Sequence, residues 1–138
     1  MIYITRKEHF NAAHKLCNPN WDDAKNMEVF GKCANKNWHG HNYDLFVTVK
    51  GEVNKETGFV VNLKHLGDLV KKDVTEIIDH KNLNLDVPGL ENILPSTENL
   101  AIFIWNILDK KIKALGAELH CIKLCETENN FVEYFGGK

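Results

Sequence analysis

From residue 42 to residue 53 the chain alternates. Tyr43, Leu45, Val47, Val49 and Val53 share one parity, and Asp44, Thr48, Lys50 and Glu52 take the other. Successive side chains of a strand point to opposite faces, so this segment reads as a strand with one buried and one wet face. Such a strand needs neighbours in its sheet and a second layer over its apolar side. The rest of the sequence supplies both. Residues 2–11 read as an earlier strand leading into Phe10-Asn11-Ala12-Ala13-His14. Segments near 119–126 and 131–135 read as two closing strands joined by Thr127-Glu128-Asn129-Asn130.

Two helical stripes lie between. After the turn Asn54-Lys55-Glu56-Thr57-Gly58, Asn62 caps a helix with Leu63, Leu66, Val70, Val74 and Ile77 on one side. A loop from about 80 to 95 carries Pro88-Gly89 and Pro95. Ser96 then caps a second helix, with Glu98 favourable in its first turn. The stripe of that helix is Leu100, Phe103, Ile104, Ile107, Leu108 and Leu115, and Gly116 ends it. The order ββααββ predicts an α+β fold, a four-stranded antiparallel sheet with two helices on one face. No repeat or linker divides the sequence, which predicts one domain over 1–138.

Charge and cysteine usage narrow the function. A net charge of −2 gives neither a basic footprint for nucleic acid nor a polybasic membrane patch. No apolar run approaches the ~18 residues of a membrane span. The start, Met1-Ile2-Tyr3-Ile4-Thr5-Arg6-Lys7, has no basic leader before an apolar stretch, so a cytoplasmic protein is expected. Cys17, Cys33, Cys121 and Cys125 form no Cys-x-x-Cys pair, and a chain of 138 residues has core enough to need no disulfide framework. A cysteine in that compartment is free to do chemistry.

Residues 17–40 are irregular, rich in Asn, Asp, Lys and Gly, and loops of that length are usually functional. They end in His39-Gly40-His41. Histidines at i and i+2 of a strand entrance point to one side, which suits a zinc ion that also wants a third protein ligand and an open position. Two solvated loop histidines would give the same pattern. The intervening glycine favours a close approach by backbone or ligand. His14 follows an apolar strand end and fits a satisfied core histidine and a third ligand equally. His9, His65 and His120 read as surface groups.

Cys33 lies in the polar loop beside Lys32, a setting that favours a thiolate. The alternative there is a small buried hydrophobe, which is the preferred reading of Cys121 and Cys125. Asp79-His80 joins a carboxylate to an imidazole, either an acid–base pair or the end of a helix. Glu126 closes a strand, where its carboxylate is either solvated or able to hold a guanidine-like edge bidentately.

Taken together, Phe10-Asn11-Ala12-Ala13-His14, Gly31-Lys32-Cys33, His39-Gly40-His41-Asn42-Tyr43, Asp79-His80-Lys81-Asn82-Leu83, Ser96-Thr97-Glu98-Asn99 and Glu126-Thr127 resemble the 6-pyruvoyl-tetrahydropterin synthase family, in order from residue 10 to about 130. The resemblance implies the tunnelling fold, with sheets joined into trimer barrels and two trimers stacked as a homohexamer. It implies Zn2+ on His14, His39 and His41, Cys33 as the proton-abstracting base, and Asp79 and His80 as its relay. Glu126 would anchor the amino-pyrimidine edge of a pterin and is grouped with the relay, and Ser96, Thr97 and Glu98 would line the pterin pocket. The implied reaction takes 7,8-dihydroneopterin triphosphate to 6-pyruvoyl-tetrahydropterin with release of triphosphate, as in tetrahydrobiopterin biosynthesis, and needs no redox cofactor.

The sister activity, 6-carboxy-tetrahydropterin synthase of queuosine biosynthesis, uses the same substrate and site. Its members usually have three residues between the cysteine and His-Gly-His. The five residues here match the pyruvoyl type. A zinc- or pterin-binding protein without activity on the same fold would have no use for Cys33, Asp79 and His80. One departure is Trp38, where similar proteins usually carry a small residue; it bears on the pocket mouth and not on the metal ligands.

Overall fold

A computed structural model describes residues 1–137. The first two strands, β1 (Ile2–His14) and β2 (His39–Gly51), form a long antiparallel ladder running from Ile2 opposite Gly51 to His14 opposite His39. β3 (Lys81–Asn82) pairs parallel to β1 at Ala12 and Ala13. β4 (Glu118–Cys125) pairs antiparallel on the far side of β2, and β5 (Phe131–Tyr134) pairs antiparallel with β4. The sheet order is β3-β1-β2-β4-β5. It therefore has five strands and not four. The extra one is two residues long, too short for alternation to announce.

One face of the sheet is apolar by parity. Phe10 and Ala12 of β1 and Tyr43, Leu45, Val47 and Val49 of β2 are buried on it, as is the polar His14. Helices cover that face. α2 (Leu63–Val70) starts on Asn62, whose side chain accepts from the Lys64 and His65 amides. It continues through a π-helical turn, Lys71–Thr75, into α3 (Glu76–Ile78). α4 (Thr97–Ala114) is capped by Ser96, which accepts from the Asn99 amide, and packs against β4 and β5. Leu66, Val70, Val74 and Ile78 face inward, with Leu100, Ala101, Ile104, Leu108 and Ile112 from α4.

The stripes depart from expectation at their ends. A buried residue every fourth position drifts around an ordinary α-helix, and the wider π turn absorbs the drift. Ile78 is buried in consequence, while Ile77 is 39% exposed and Leu63 is 45% exposed. Leu115 caps α4 instead of packing in it, and Gly116, at φ 88°, takes the left-handed position that lets Ala117 bond back to Ile112. Val53 lies beyond β2 and is exposed.

The segment 17–40 is more ordered than its composition suggests. Asp22 caps α1 (Asp23–Phe30) by accepting from the Lys25 amide at 2.8 Å, and a 3-10 turn, Gly31–Ala34, follows. Only Asn26 of α1 is buried, so there was no apolar stripe to read. No helix among the described residues is long and apolar enough to cross a membrane.

Candidate metal centre

β1 and β2 run about three residues further toward this end than the apolar pattern reaches, and their ladder ends in the pair His14–His39. His14, His39 and His41 share the buried face. Their ring centroids lie 4.5, 4.9 and 5.0 Å apart. Each ring offers one nitrogen, and the three lie within 4.8 Å of one another.

Hydrogen bonding decides which nitrogens are free. His14 Nδ1 lies 2.8 Å from the Pro95 carbonyl oxygen, so Nδ1 carries the proton and Nε2 keeps a lone pair. His14 Nε2, His39 Nδ1 and His41 Nε2 are buried without a hydrogen-bond partner. Unpartnered buried nitrogens are rare, and three on one centre fit a cation. The imidazoles are also kept neutral, as ligands must be: burial chiefly pushes all three pKa values below the usual 6.5. The three residues can hold a metal ion.

Gly40 is not forced by crowding. A Cβ there would meet the Ala12 carbonyl oxygen at an ordinary 3.5 Å. The close backbone approach expected of it is absent.

The remaining site residues divide between two cavities. One, of about 380 Å³, opens beside His14 and is lined by Cys33, Ser96, Thr97, Glu98 and Glu126. Cys33 reaches it from the 3-10 turn, whose backbone is pinned by the Leu16 amide donating to the Cys33 carbonyl at 2.8 Å. Thr97 Oγ1 donates to Glu126 Oε2 at 2.5 Å, and Glu126 Oε1 lies 3.4 Å from His41 Nε2. Sequence reasoning did not foresee that Thr97 and Glu126 touch, or that the Asn129–Asn130 turn lines the same cavity.

Asp79 and His80 are elsewhere. His80 lines a cavity of about 540 Å³ with Asn11, Gly40, His41 and Asn42, so it adjoins the candidate metal centre but does not line the cavity that holds Cys33 and Glu126. The pair itself is formed: His80 Nδ1 is 2.9 Å from Asp79 Oδ2, and Asp79 Oδ1 accepts from the Asn11 amide at 2.9 Å. The Asn11 amide, then His80, holds the Asp79 carboxyl below the usual range. His80 is 76% exposed and held at φ 61°, a conformation that a bulky side chain rarely adopts.

A model of the family described as 6-pyruvoyl tetrahydropterin synthase matches residues 3–137. The 6-pyruvoyl tetrahydrobiopterin synthase of Homo sapiens is 41% identical over 133 residues, 96% of this chain and 90% of the relative. That of Dictyostelium discoideum is 42% identical over 135 residues, 98% of this chain and 96% of the relative. Among solved structures, the Caenorhabditis elegans 6-pyruvoyl tetrahydropterin synthase superposes with a TM-score of 0.87 at 34% identity, covering 99% of this chain and 96% of that one.

Proposed function

The chain belongs to the 6-pyruvoyl tetrahydropterin synthase family, and from that premise we propose that it is a zinc-dependent lyase converting 7,8-dihydroneopterin triphosphate to 6-pyruvoyl-tetrahydropterin with release of triphosphate. The observation that carries this reading is the set of three buried histidine nitrogens without partners around one centre. A three-histidine donor set with an open position suits zinc at bonds of about 2.0–2.1 Å. When bound, zinc supplies Lewis acidity to side-chain hydroxyls and acidifies the carbon-bound protons beside them.

The chain's own residues do the rest. Glu126, fixed by Thr97, accepts from the amino-pyrimidine edge of the pterin, and Ser96 and Glu98 line the same pocket. Cys33 removes a proton from the side chain. Loss of triphosphate and an internal shift of hydrogen complete the product, so no external oxidant or reductant is consumed. Asp79 orients His80, and His80 relays the proton of Cys33.

Because Cys33 and His80 line different cavities of one subunit, the relay is completed by a neighbouring copy. Sheet edges support such an assembly. β3 covers only Ala12 and Ala13 of β1, leaving most of its outer edge open, and β5 has a free edge on the other side. Pairing of these edges closes a trimer, and two trimers give a hexamer. Four free cysteines are in keeping with a cytoplasmic location.

The test is to incubate the zinc-loaded protein with 7,8-dihydroneopterin triphosphate and identify the products. A pyruvoyl side chain without a two-carbon fragment supports the reading. A 6-carboxylate with acetaldehyde assigns the sister activity, and no turnover refutes both.

A further inference from the structure

Tyr43 is fully buried, yet its hydroxyl has no hydrogen-bond partner. A buried donor left unpaired is costly, and phenylalanine would fill the same space without that cost. The ring alone serves the packing. It stacks on Phe10 with centroids 4.9 Å apart and planes 16° from parallel, a contact that needs no hydroxyl.

The position of Tyr43 is informative. It lies two residues beyond His41 on β2 and on the same face, with its ring centroid 5.7 Å from His41 and 6.3 Å from His14. Among the described residues, the other buried side-chain atoms without partners are His14 Nε2, His39 Nδ1 and His41 Nε2. The four unpartnered atoms thus belong to side chains whose rings adjoin one another, three of the atoms acceptors and one able to donate.

Resting on the reading that this pocket takes a metal and a pterin, we propose that the Tyr43 hydroxyl is a ligand-binding donor, held for an oxygen that sits among His14, His41 and Glu126. That oxygen is a water in the resting protein or a side-chain hydroxyl of the bound pterin. The first source makes Tyr43 a support for metal binding, and the second makes it a determinant of how the pterin side chain is oriented.

The experiment is Tyr43→Phe in the full chain, read three ways: melting of the metal-free protein, zinc affinity against a chelator, and binding of 7,8-dihydroneopterin to the zinc-loaded protein by fluorescence. This probe carries the side-chain hydroxyls without phosphate. The metal-free variant is expected to melt at or above the parent, because a donor without a protein partner has been removed. The zinc-loaded variant is expected to bind dihydroneopterin about five- to tenfold more weakly. If zinc affinity falls by that factor and dihydroneopterin affinity holds, the acceptor is the resting water. A metal-free variant that melts below the parent overturns the proposal, because the hydroxyl is then satisfied within the fold. Unchanged affinity for both ligands overturns it as well. Failure of the parent protein itself to bind dihydroneopterin would count against the proposed function alone; the melting and zinc readouts would still decide the role of Tyr43.

Discussion

The Pro95 carbonyl oxygen lies 2.8 Å from His14 Nδ1. A carbonyl only accepts, so this contact fixes the tautomer and aims Nε2 at the centre shared with His39 and His41. It joins the end of β1 to the residue that precedes the cap of α4. The loop that orients one candidate metal ligand therefore also places Ser96 and Thr97 in the cavity lined by Cys33 and Glu126.

Acid should release the metal and weaken the metal-free fold together. The three imidazoles have folded pKa values below 6.5, chiefly from burial. The unfolded chain then binds more protons than the folded one between the lowered values and 6.5, so stability rises with pH across that window. It is fully present above 6.5 and is lost as pH falls from there. Protons compete for the same nitrogens that a metal ion would take. Urea denaturation of the metal-free protein between about pH 8 and 5 should show this fall. The slope should be shallower in His14→Ala, and His39→Ala should lose bound zinc by elemental analysis.

The Thr97–Glu126 bond predicts a coupled pair. Thr97 is buried and donates to a carboxylate that is about a quarter exposed. Thr97→Val keeps the shape and removes the donor, and should cost about 1 kcal/mol of stability after allowance for solvent at Glu126. It should also weaken pterin binding, because Glu126 loses its anchor. A double-mutant cycle with Glu126→Ala checks this: coupling near zero in both stability and pterin affinity would show that the bond does not position the carboxylate.

Asn26 is expected to hold the segment that carries Cys33. It is 3% exposed, its Oδ1 accepts from the Asn18 amide at 2.8 Å, and its Nδ2 donates to the Asn18 and Asp22 carbonyls at 3.1 Å. Asn26→Ala leaves the Asn18 amide unpaired, while the Asn18 and Asp22 carbonyls still accept from the Trp21 and residue-26 amides, and should destabilise by about 1–3 kcal/mol. α1 runs directly into the turn bearing Cys33, so alkylation of Cys33 should accelerate in this variant. Equal alkylation rates would uncouple α1 from the cysteine.

These residues mark what the sequence could convey. Alternation over Tyr43 to Val49 and the stripes from Leu66 and Leu100 reflect burial directly, and the element order followed from them. His39-Gly40-His41 and Ala12-Ala13-His14 carry no apolar–polar alternation, so the readable strands stop three residues short of the ends of β1 and β2 at the candidate metal centre. α1 is held by one asparagine, and β3 by two backbone pairings, neither of which leaves a hydrophobic period. The resemblance named the candidate ligands and relay. It did not indicate that His80 and Cys33 line separate cavities of the subunit, because that depends on which face of the sheet each element meets.

That separation yields the sharpest prediction. Cys33→Ala and His80→Ala should each retain zinc, since neither residue is among the three clustered histidines, and each should lose about 10²–10⁴-fold in turnover. Their double mutant should be little worse than either single, because the two act as one unit. If the unit is built within one subunit, mixing the two single mutants restores nothing. If Cys33 of one copy works with His80 of the next, unfolding and reassembling an equal mixture places two intact partners at about a quarter of the interfaces, since neighbours associate at random around a closed ring. Turnover should then recover to about a quarter of the parent level. Recovery requires the assembly, so sedimentation of the mixture should show the same multimer as the parent. A multimer that forms with no regained turnover would place the relay inside one subunit and reject the shared site.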